Sequence, residues 1–153
     1  MAWIFSLSAE CGTDKSRADA FAAFFDGFTV TDHREVSHKC LLRTYDDDGW
    51  WTMVSPEGVS TSGVNCEEDR LQMNAMAQQF YSALRSAPEF RYALVGVEVD
   101  SFRSATELDE DLASSPHFKG LVISEAIWSH LGRPAIFHPF RSGFYWREFE
   151  RAI

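Results

Sequence analysis

Apolar residues recur at three- and four-residue spacing in two segments of the chain, which predicts two amphipathic helices. The first helix begins after Thr13-Asp14, and the second begins near Asn65, because residues of these types cap helix N-termini. Pro88 prevents the second helix from continuing. The apolar stripes consist of Ala18, Phe21, Ala22, Phe25 and Phe28 in the first helix and of Met73, Met76, Ala77, Phe80 and Leu84 in the second.

Runs of β-branched and aromatic residues surround the two helices and predict strands. These strands span Ala2–Ser8, Lys39–Tyr45, Trp50–Ser55 and Phe90–Asp100. The last of them is almost entirely apolar between Tyr92 and Val97, which is typical of a strand covered on both faces.

The clearest hairpin surrounds the turn sequence Asp46-Asp47-Asp48-Gly49. If Tyr45 is opposite Trp50, side-chain alternation places Arg43, Tyr45, Trp50 and Thr52 on one face of the hairpin. The opposite face then carries Cys40, Leu42, Trp51 and Met53. Because the second set is the more apolar, we expect it to face the core and the first set to face solvent.

Beyond Asp100 the pattern is weaker, with a short acidic helix from Thr106, a strand at Gly120–Ile123, a helix after Ser124 and a closing hairpin. The order of elements predicts an α+β fold in a single domain spanning residues 1–153. Its antiparallel or mixed sheet would carry two main helices on one face, in split βαβ order, followed by a short α/β C-terminal extension.

Composition and charge narrow the classes of partner. The chain of 153 residues has 14 Lys and Arg against 23 Asp and Glu, a net charge of −9, and 45% hydrophobic residues. This hydrophobic content excludes a disordered chain. A negative surface repels nucleic acids and anionic membranes and attracts basic proteins. The three cysteines have no metal or redox spacing, and no signal or membrane segment is recognisable, so we expect a cytoplasmic protein.

No sequence motif for catalysis or cofactor binding is present. The chain lacks a phosphate-binding glycine loop, a dinucleotide-binding fingerprint, a zinc-protease motif and a hydrolase nucleophile elbow. The Asp46–Asp48 triplet also lacks the alternation of a calcium loop. We therefore predict no catalytic residues, no cofactor and no metal ligands.

Clustered carboxylates and aromatic residues are the candidates for partner binding. Tyr and Trp, together with Arg, are enriched in the parts of interfaces that dominate affinity. The candidate residues are Arg43, Tyr45, Asp46, Asp47, Asp48, Trp50, Glu67, Glu68, Asp69, Glu107, Asp109, Glu110 and Asp111.

In its size, charge and α+β pattern, and in the segments Tyr45–Trp51 and Gly120–Trp128, the chain resembles the small acidic immunity proteins encoded beside bacterial polymorphic or contact-delivered toxins. This resemblance implies a cytosolic, stoichiometric inhibitor that blocks or distorts the active site of a basic toxin domain. Two alternatives remain open: a small-molecule-binding or regulatory domain with a Trp-lined pocket, and an enzyme that depends on clustered carboxylates.

Overall fold

An antiparallel sheet organises the part of the chain that the computed structural model describes, which is residues 5–59, 67–97, 99, 102–104, 106–108, 110 and 119–148. In chain order, the elements are β1 (Phe5–Glu10), α1 (Lys15–Phe24), β2 (Thr29–Thr31), β3 (Ser37–Asp46), β4 (Trp50–Pro56), α2 (Glu67–Leu84), β5 (Tyr92–Val97), β6 (Val122–Ser124), α3 (Glu125–His130), β7 (His138–Arg141) and β8 (Phe144–Trp146). Residues 106–108 are also helical. The strands lie in the order β2-β3-β4-β1-β5-β6-β8-β7, and all neighbouring pairs are antiparallel.

The α+β class and the split βαβ order are confirmed. The strands β3, β4, β1 and β5 are adjacent in that order, and α1 and α2 provide the two crossovers. β2 is added at one edge beside β3. The C-terminal extension joins the same sheet, because β6, β8 and β7 continue it beyond β5.

Both main helices pack on one face of the sheet, as predicted. Phenylalanine rings join the layers: the ring centroids of Phe21 and Phe25, of Phe25 and Phe28, and of Phe28 and Phe80 are 5.1, 5.1 and 5.7 Å apart. Phe80 of α2 then reaches Phe5 of β1 at 6.2 Å. The four-residue spacing brings Phe21 and Phe25 to one side of α1, which ends at Phe24 with Phe25 as its C-cap, and Phe28 joins them from the segment that follows the helix.

A second core covers the opposite face of the sheet. Trp51, Tyr92 and Phe102 meet edge to face, with centroids 5.5 to 5.7 Å apart. Leu108, which follows in the chain, and Phe137 are buried in the same cluster. The central strands are therefore covered on both sides, which explains why all six residues of β1 are buried.

A neighbouring side chain stabilises the start of α1, and a side chain distant in the sequence stabilises the end of α2. Asp14 caps α1 by accepting a hydrogen bond from the Ser16 N–H, as predicted. α2 has no basic residue in its last turn. Arg141 of β7 instead donates to the carbonyl oxygens of Leu84 and Ala87, at 2.8 and 2.5 Å. It thereby places a cation at the negative end of the helix.

Several predicted boundaries differ from the observed ones. β1 continues to Glu10, two residues past the predicted end at Ser8, and β5 is shorter than the predicted strand. Ala2, Asn65 and Asp100 lie outside the described residues. Ser124 caps α3 as expected.

The predicted register of the β3–β4 hairpin is wrong by one residue. Tyr45 is opposite Trp51, and Asp46 is opposite Trp50. Asp46 belongs to the strand, which leaves a three-residue loop instead of the expected four-residue turn. Because side chains alternate along a strand, this change moves Trp50 away from the face that carries Arg43 and Tyr45.

A histidine–carboxylate pair holds the loop between β2 and β3. His38 Nε2 lies 2.9 Å from Asp32 Oδ2, and His38 Nδ1 lies 2.9 Å from the Glu57 carbonyl oxygen. A charged imidazolium donates to both acceptors at once. The Asp32 bond raises the pKa of His38, and the same bond lowers the pKa of Asp32 to about 2.

This pair should stabilise the fold most between about pH 4 and about pH 6.5. The raised pKa of His38 gives stability that is complete below 6.5 and is lost as the pH rises through the folded-state value. The lowered pKa of Asp32 gives stability that is present above 3.8 and is lost as the pH falls toward 2. We expect His38→Gln to lower Tm by a few degrees near pH 5, measured by thermal unfolding.

The same substitution at an exposed histidine, His138→Gln, serves as the control, because that side chain is 55% exposed. The Tm difference caused by His38→Gln should narrow toward about pH 9 and below about pH 3. A difference that stays constant or grows toward pH 9 would contradict the assignment.

Candidate functional site

The end of β3 and the loop that follows it display three consecutive carboxylates at one end of the sheet. Asp46, Asp47 and Asp48 are all exposed. The loop is closed by a hydrogen bond of 2.8 Å from the Asp47 N–H to the Gly49 carbonyl oxygen. Asp48 and Gly49 have φ angles of +53° and +129°, so the loop requires residue types that tolerate the left-handed region. We call residues Asp46–Gly49 the acidic turn.

Groups beneath the acidic turn hold its backbone in place. The indole N–H of Trp51, which is fully buried, donates to the Asp47 carbonyl oxygen at 2.9 Å. On the other side, the Trp50 N–H donates to the Gly12 carbonyl oxygen at 2.7 Å. The three carboxylates are therefore presented from a fixed platform, which reduces the entropy lost when a partner binds.

A buried carboxylate, Glu10, lies directly under the turn. It is the last residue of β1 and is paired across the sheet with Trp51 on one side and Tyr92 on the other. Its side chain is 0% exposed. A Cβ atom at Gly49 would lie only 3.2 Å from the Glu10 Cδ atom, so Glu10 and the turn are in close contact.

The two oxygens of Glu10 have different surroundings. Oε1 accepts a hydrogen bond from the Gly12 N–H. Oε2 lies 3.4 Å from Arg91 Nη1 and makes no hydrogen bond to a residue within the described ranges. Burial raises the pKa of Glu10. Arg91, the Gly12 N–H and the Tyr92 side chain partly oppose that shift, and the carboxylate of Asp48 adds to it.

Arg43 and Tyr45 lie together beside the turn, as predicted. The Arg43 guanidinium is 4.8 Å from the centre of the Tyr45 ring. Tyr45 is half-buried against the second core, and Arg43 is exposed. Because the Arg43 guanidinium is stacked on the anchored ring of Tyr45, both side chains would lose little conformational entropy when a partner binds.

Trp50 does not belong to this face, contrary to the sequence prediction. It is partly buried against the helix-side core, and Lys15 Nζ lies 5.6 Å from the centre of its ring. The reason is the three-residue loop, which pairs Trp50 with Asp46 instead of Tyr45.

The second predicted acidic cluster, Glu67–Asp69, does not join the acidic turn. Glu68 pairs with Arg34, and Glu67 pairs with Arg70. Because Arg34 precedes β3 and the acidic turn follows it, the two clusters lie at opposite ends of a ten-residue strand. Such a strand is about 30 Å long.

The third predicted cluster is only partly described. Glu107 and Glu110 are exposed, whereas Asp109 and Asp111 lie outside the described residues. Ser104 Oγ accepts a hydrogen bond from the Glu107 N–H at 3.2 Å, and Thr106, from which the helix is predicted, is helical.

A cavity of about 490 Å³ lies on the second face, near Glu10 and Arg91. Its lining residues are Arg91, Tyr92, Thr106, Leu108, Ser124, Ala126, Ile127 and His130. No tryptophan is among them. The Tyr92 hydroxyl donates to the Arg103 carbonyl oxygen at 2.9 Å, and Ser124 caps α3, so these two hydroxyls already have partners.

Metal and thiol chemistry find no support in the ranges that the structure describes. No group of three or more His, Cys, Asp and Glu side chains is placed there to hold a metal ion. Burial raises the pKa of Cys11 to about 12 and that of Cys40 to about 11, so both thiols are protonated at neutral pH. No helix among the described residues is long and apolar enough to cross a membrane.

Comparison with known proteins gives no relatives: no protein-family model, curated protein sequence or solved structure matches this chain significantly.

Sequence reasoning missed Glu10 and Arg91. The alternation of Ser6, Ser8 and Glu10 with apolar residues is what a strand with one solvent-exposed face shows. Only the position of β1 at the centre of a sheet covered on both faces reveals that these polar residues are buried. A glutamate followed by Cys11-Gly12 at the end of a strand does not by itself indicate a buried carboxylate.

Gly49→Ala tests whether the acidic turn rests on Glu10. The new Cβ atom would meet Glu10 as well as impose an unfavourable φ, and we expect a loss of about 2 kcal/mol or more in the free energy of unfolding. Gly143→Ala is the matched control, because its φ is +81° and a Cβ atom there meets nothing within 4 Å. Urea unfolding measures the free energy of unfolding of both variants. Equal losses in Gly49→Ala and Gly143→Ala would refute the contact between the turn and Glu10.

Glu10→Gln tests the buried charge. The pKa of Glu10 is higher in the folded protein than in the unfolded chain, so the unfolded chain loses this proton at a lower pH. The free energy of unfolding therefore falls as the pH rises from 4.5 toward the folded-state pKa. The stability of the wild-type protein relative to Glu10→Gln should therefore fall between about pH 4 and about pH 8. Urea unfolding at each pH measures this, with Glu107→Gln as the exposed control. A relative stability that rises with pH would contradict the assignment.

Proposed function

We propose that this protein is an immunity-type inhibitor that binds a basic bacterial toxin domain through the acidic turn and the adjacent Arg43–Tyr45 pair. The observation that carries the proposal is the fixed display of three exposed carboxylates at one end of the sheet. The proposed site of action is the cytoplasm, where such a toxin would act.

The charge of the acidic turn would attract the basic partner during the approach of the two proteins. With a net charge of −9, the chain attracts a basic partner from a distance, and the local field is strongest where like charges are concentrated. Glu67 and Glu68 already pair with arginines of the same chain. The acidic turn is therefore the better candidate for the site of encounter.

Arg43 and Tyr45 would hold the partner once it has bound. Tyr45 is anchored against the second core, and Arg43 is stacked on its ring. Arg and Tyr at a preorganised position slow dissociation once they are desolvated by a partner. A toxin that handles nucleic acid has a phosphate-binding surface of matching positive charge, which the carboxylates would occupy.

Replacing all three aspartates by asparagine (Asp46→Asn, Asp47→Asn and Asp48→Asn) should slow association with the toxin domain encoded by the adjacent gene. We expect about a tenfold lower association rate at low ionic strength and a weaker dependence on salt, because electrostatic steering is lost. Stopped-flow or surface-based kinetics measures both, and growth rescue on co-expression with the toxin reports inhibition.

The control changes the same number of charges at the other end of β3, with Glu67→Gln, Glu68→Gln and Asp69→Asn. Its association rate should change by less than about threefold, since it alters the net charge equally but not the local field. Equal effects of the two triple variants would remove the acidic turn from the proposal. Failure of the wild-type protein to bind or to rescue growth would overturn the function itself.

A further inference from the structure

Among the described residues, no strand covers much of the outer edge of β3. β2 pairs only with Ser37–Lys39, and one further hydrogen bond of 3.2 Å joins the Cys40 N–H to the Phe28 carbonyl oxygen. Within the described ranges, no strand pairs with this edge between Leu41 and Asp46. Leu41 is 59% exposed.

The hydrogen-bond pattern shows which backbone groups point outward. Trp50 exchanges hydrogen bonds with the β1 side, donating to Gly12 and accepting from Cys11. Even-numbered residues of β4 therefore face β1, and odd-numbered ones face β3. Through the register of the hairpin, Tyr45 and its odd-numbered neighbours on β3 bond to β4. The N–H and C=O groups of Leu42, Thr44 and Asp46 consequently point away from the sheet.

This edge lacks most of the features that usually protect a sheet edge from pairing. Protected edges carry charged side chains, especially lysine, or proline or a bulge, or they are very short. The segment Leu41–Asp46 contains neither proline nor lysine, and its pairing with β4 is continuous. Of its two charged side chains, Arg43 is stacked on Tyr45 and Asp46 lies at the end of the edge. The segment is therefore a template for a further strand.

We propose that an extended basic segment of the protein partner adds to the sheet along Leu41–Asp46 as a ninth strand, and this inference rests on the proposed function. Main-chain hydrogen bonds would supply the affinity. The acidic turn at the end of the edge selects basic side chains. A cavity of about 700 Å³, lined in part by Leu41 and Met53, adjoins the edge and can take an apolar side chain of the added strand.

A second copy of this chain is the poorer occupant. Each copy carries a net charge of −9, so two copies brought edge to edge repel each other. Like charges placed close together across an interface oppose association. A basic strand gains from the same field that repels another copy.

Thr44→Pro tests the strand addition directly. Proline removes the outward N–H and places its ring at the edge, while the hydrogen bonds between β3 and β4 do not use that N–H. Thr44→Val is the matched control, because it keeps the N–H and the β-branched shape. We expect about a tenfold or greater loss of affinity for the toxin domain from Thr44→Pro and less than about threefold from Thr44→Val, measured by calorimetry with thermal unfolding as the check on folding.

Hydrogen exchange in the wild-type complex gives a second readout that needs no variant. The amides of Leu42, Thr44 and Asp46 should exchange about tenfold or more slowly when the toxin domain is bound. A complex that forms without protection of these amides, and that Thr44→Pro leaves intact, would overturn strand addition while leaving the proposed function standing.

If the toxin domain does not bind, the proposed function fails and strand addition is tested with a different probe. This probe is a peptide of about ten residues that alternates lysine and valine, added to the isotope-labelled protein at low ionic strength. Shifts in the amide resonances of Leu42, Thr44 and Asp46 would support the edge as a binding site. Shifts confined to other residues, or absent at millimolar peptide, would overturn it.

Discussion

A loop of three residues, Asp47–Gly49, decides which way every side chain of β3 and β4 points. Because strand side chains alternate, one residue more or fewer in this loop would turn one of the two strands over relative to the other. In the observed register, Trp51 enters the second core on the same face as Arg43 and Tyr45. The alternative would either bring Arg43 toward the helices or remove Trp51 from its contact with Tyr92. The loop thus fixes both the packing and the surface at this end of the sheet.

The position of Glu10 beneath this loop runs against the stability of the fold. A buried carboxylate is costly unless it is fully paired. Oε2 makes no hydrogen bond within the described part of the chain, although Arg91 lies 3.4 Å away and the Tyr92 side chain also favours the charged form. Asp48 adds a like charge nearby, which contributes to raising the pKa of Glu10. Proteins tend to depart from local rules of stability at functional sites. The negative charges of Glu10 and Asp48 at the hairpin end of the sheet are therefore consistent with a role in binding a partner, since they do not stabilise the fold.

The sequence predicted the elements well because their signals are local. The apolar stripe of α2 and the cap at Asp14 depend on residues within a few positions of one another. The register of the hairpin was wrong because Asp46 suits a turn and a strand end equally, so composition does not specify the length of the loop. Glu10 was missed because its burial depends on strands that are distant in the sequence. The open edge of β3 likewise follows only from where β2 stops pairing.

The acidic turn and the open edge of β3 act over different distances, and this difference separates their roles in binding. The field of exposed carboxylates is screened within about 10 Å at 0.1 M salt, so it governs the approach of a partner and depends on ionic strength. Hydrogen bonds along an edge form only at contact, so they govern how long the complex lasts and depend little on salt. A partner that used both would show an association rate set by Asp46–Asp48 and a dissociation rate set by Leu42 and Thr44. The adjacency of the two features on β3 makes one basic strand sufficient to engage them together.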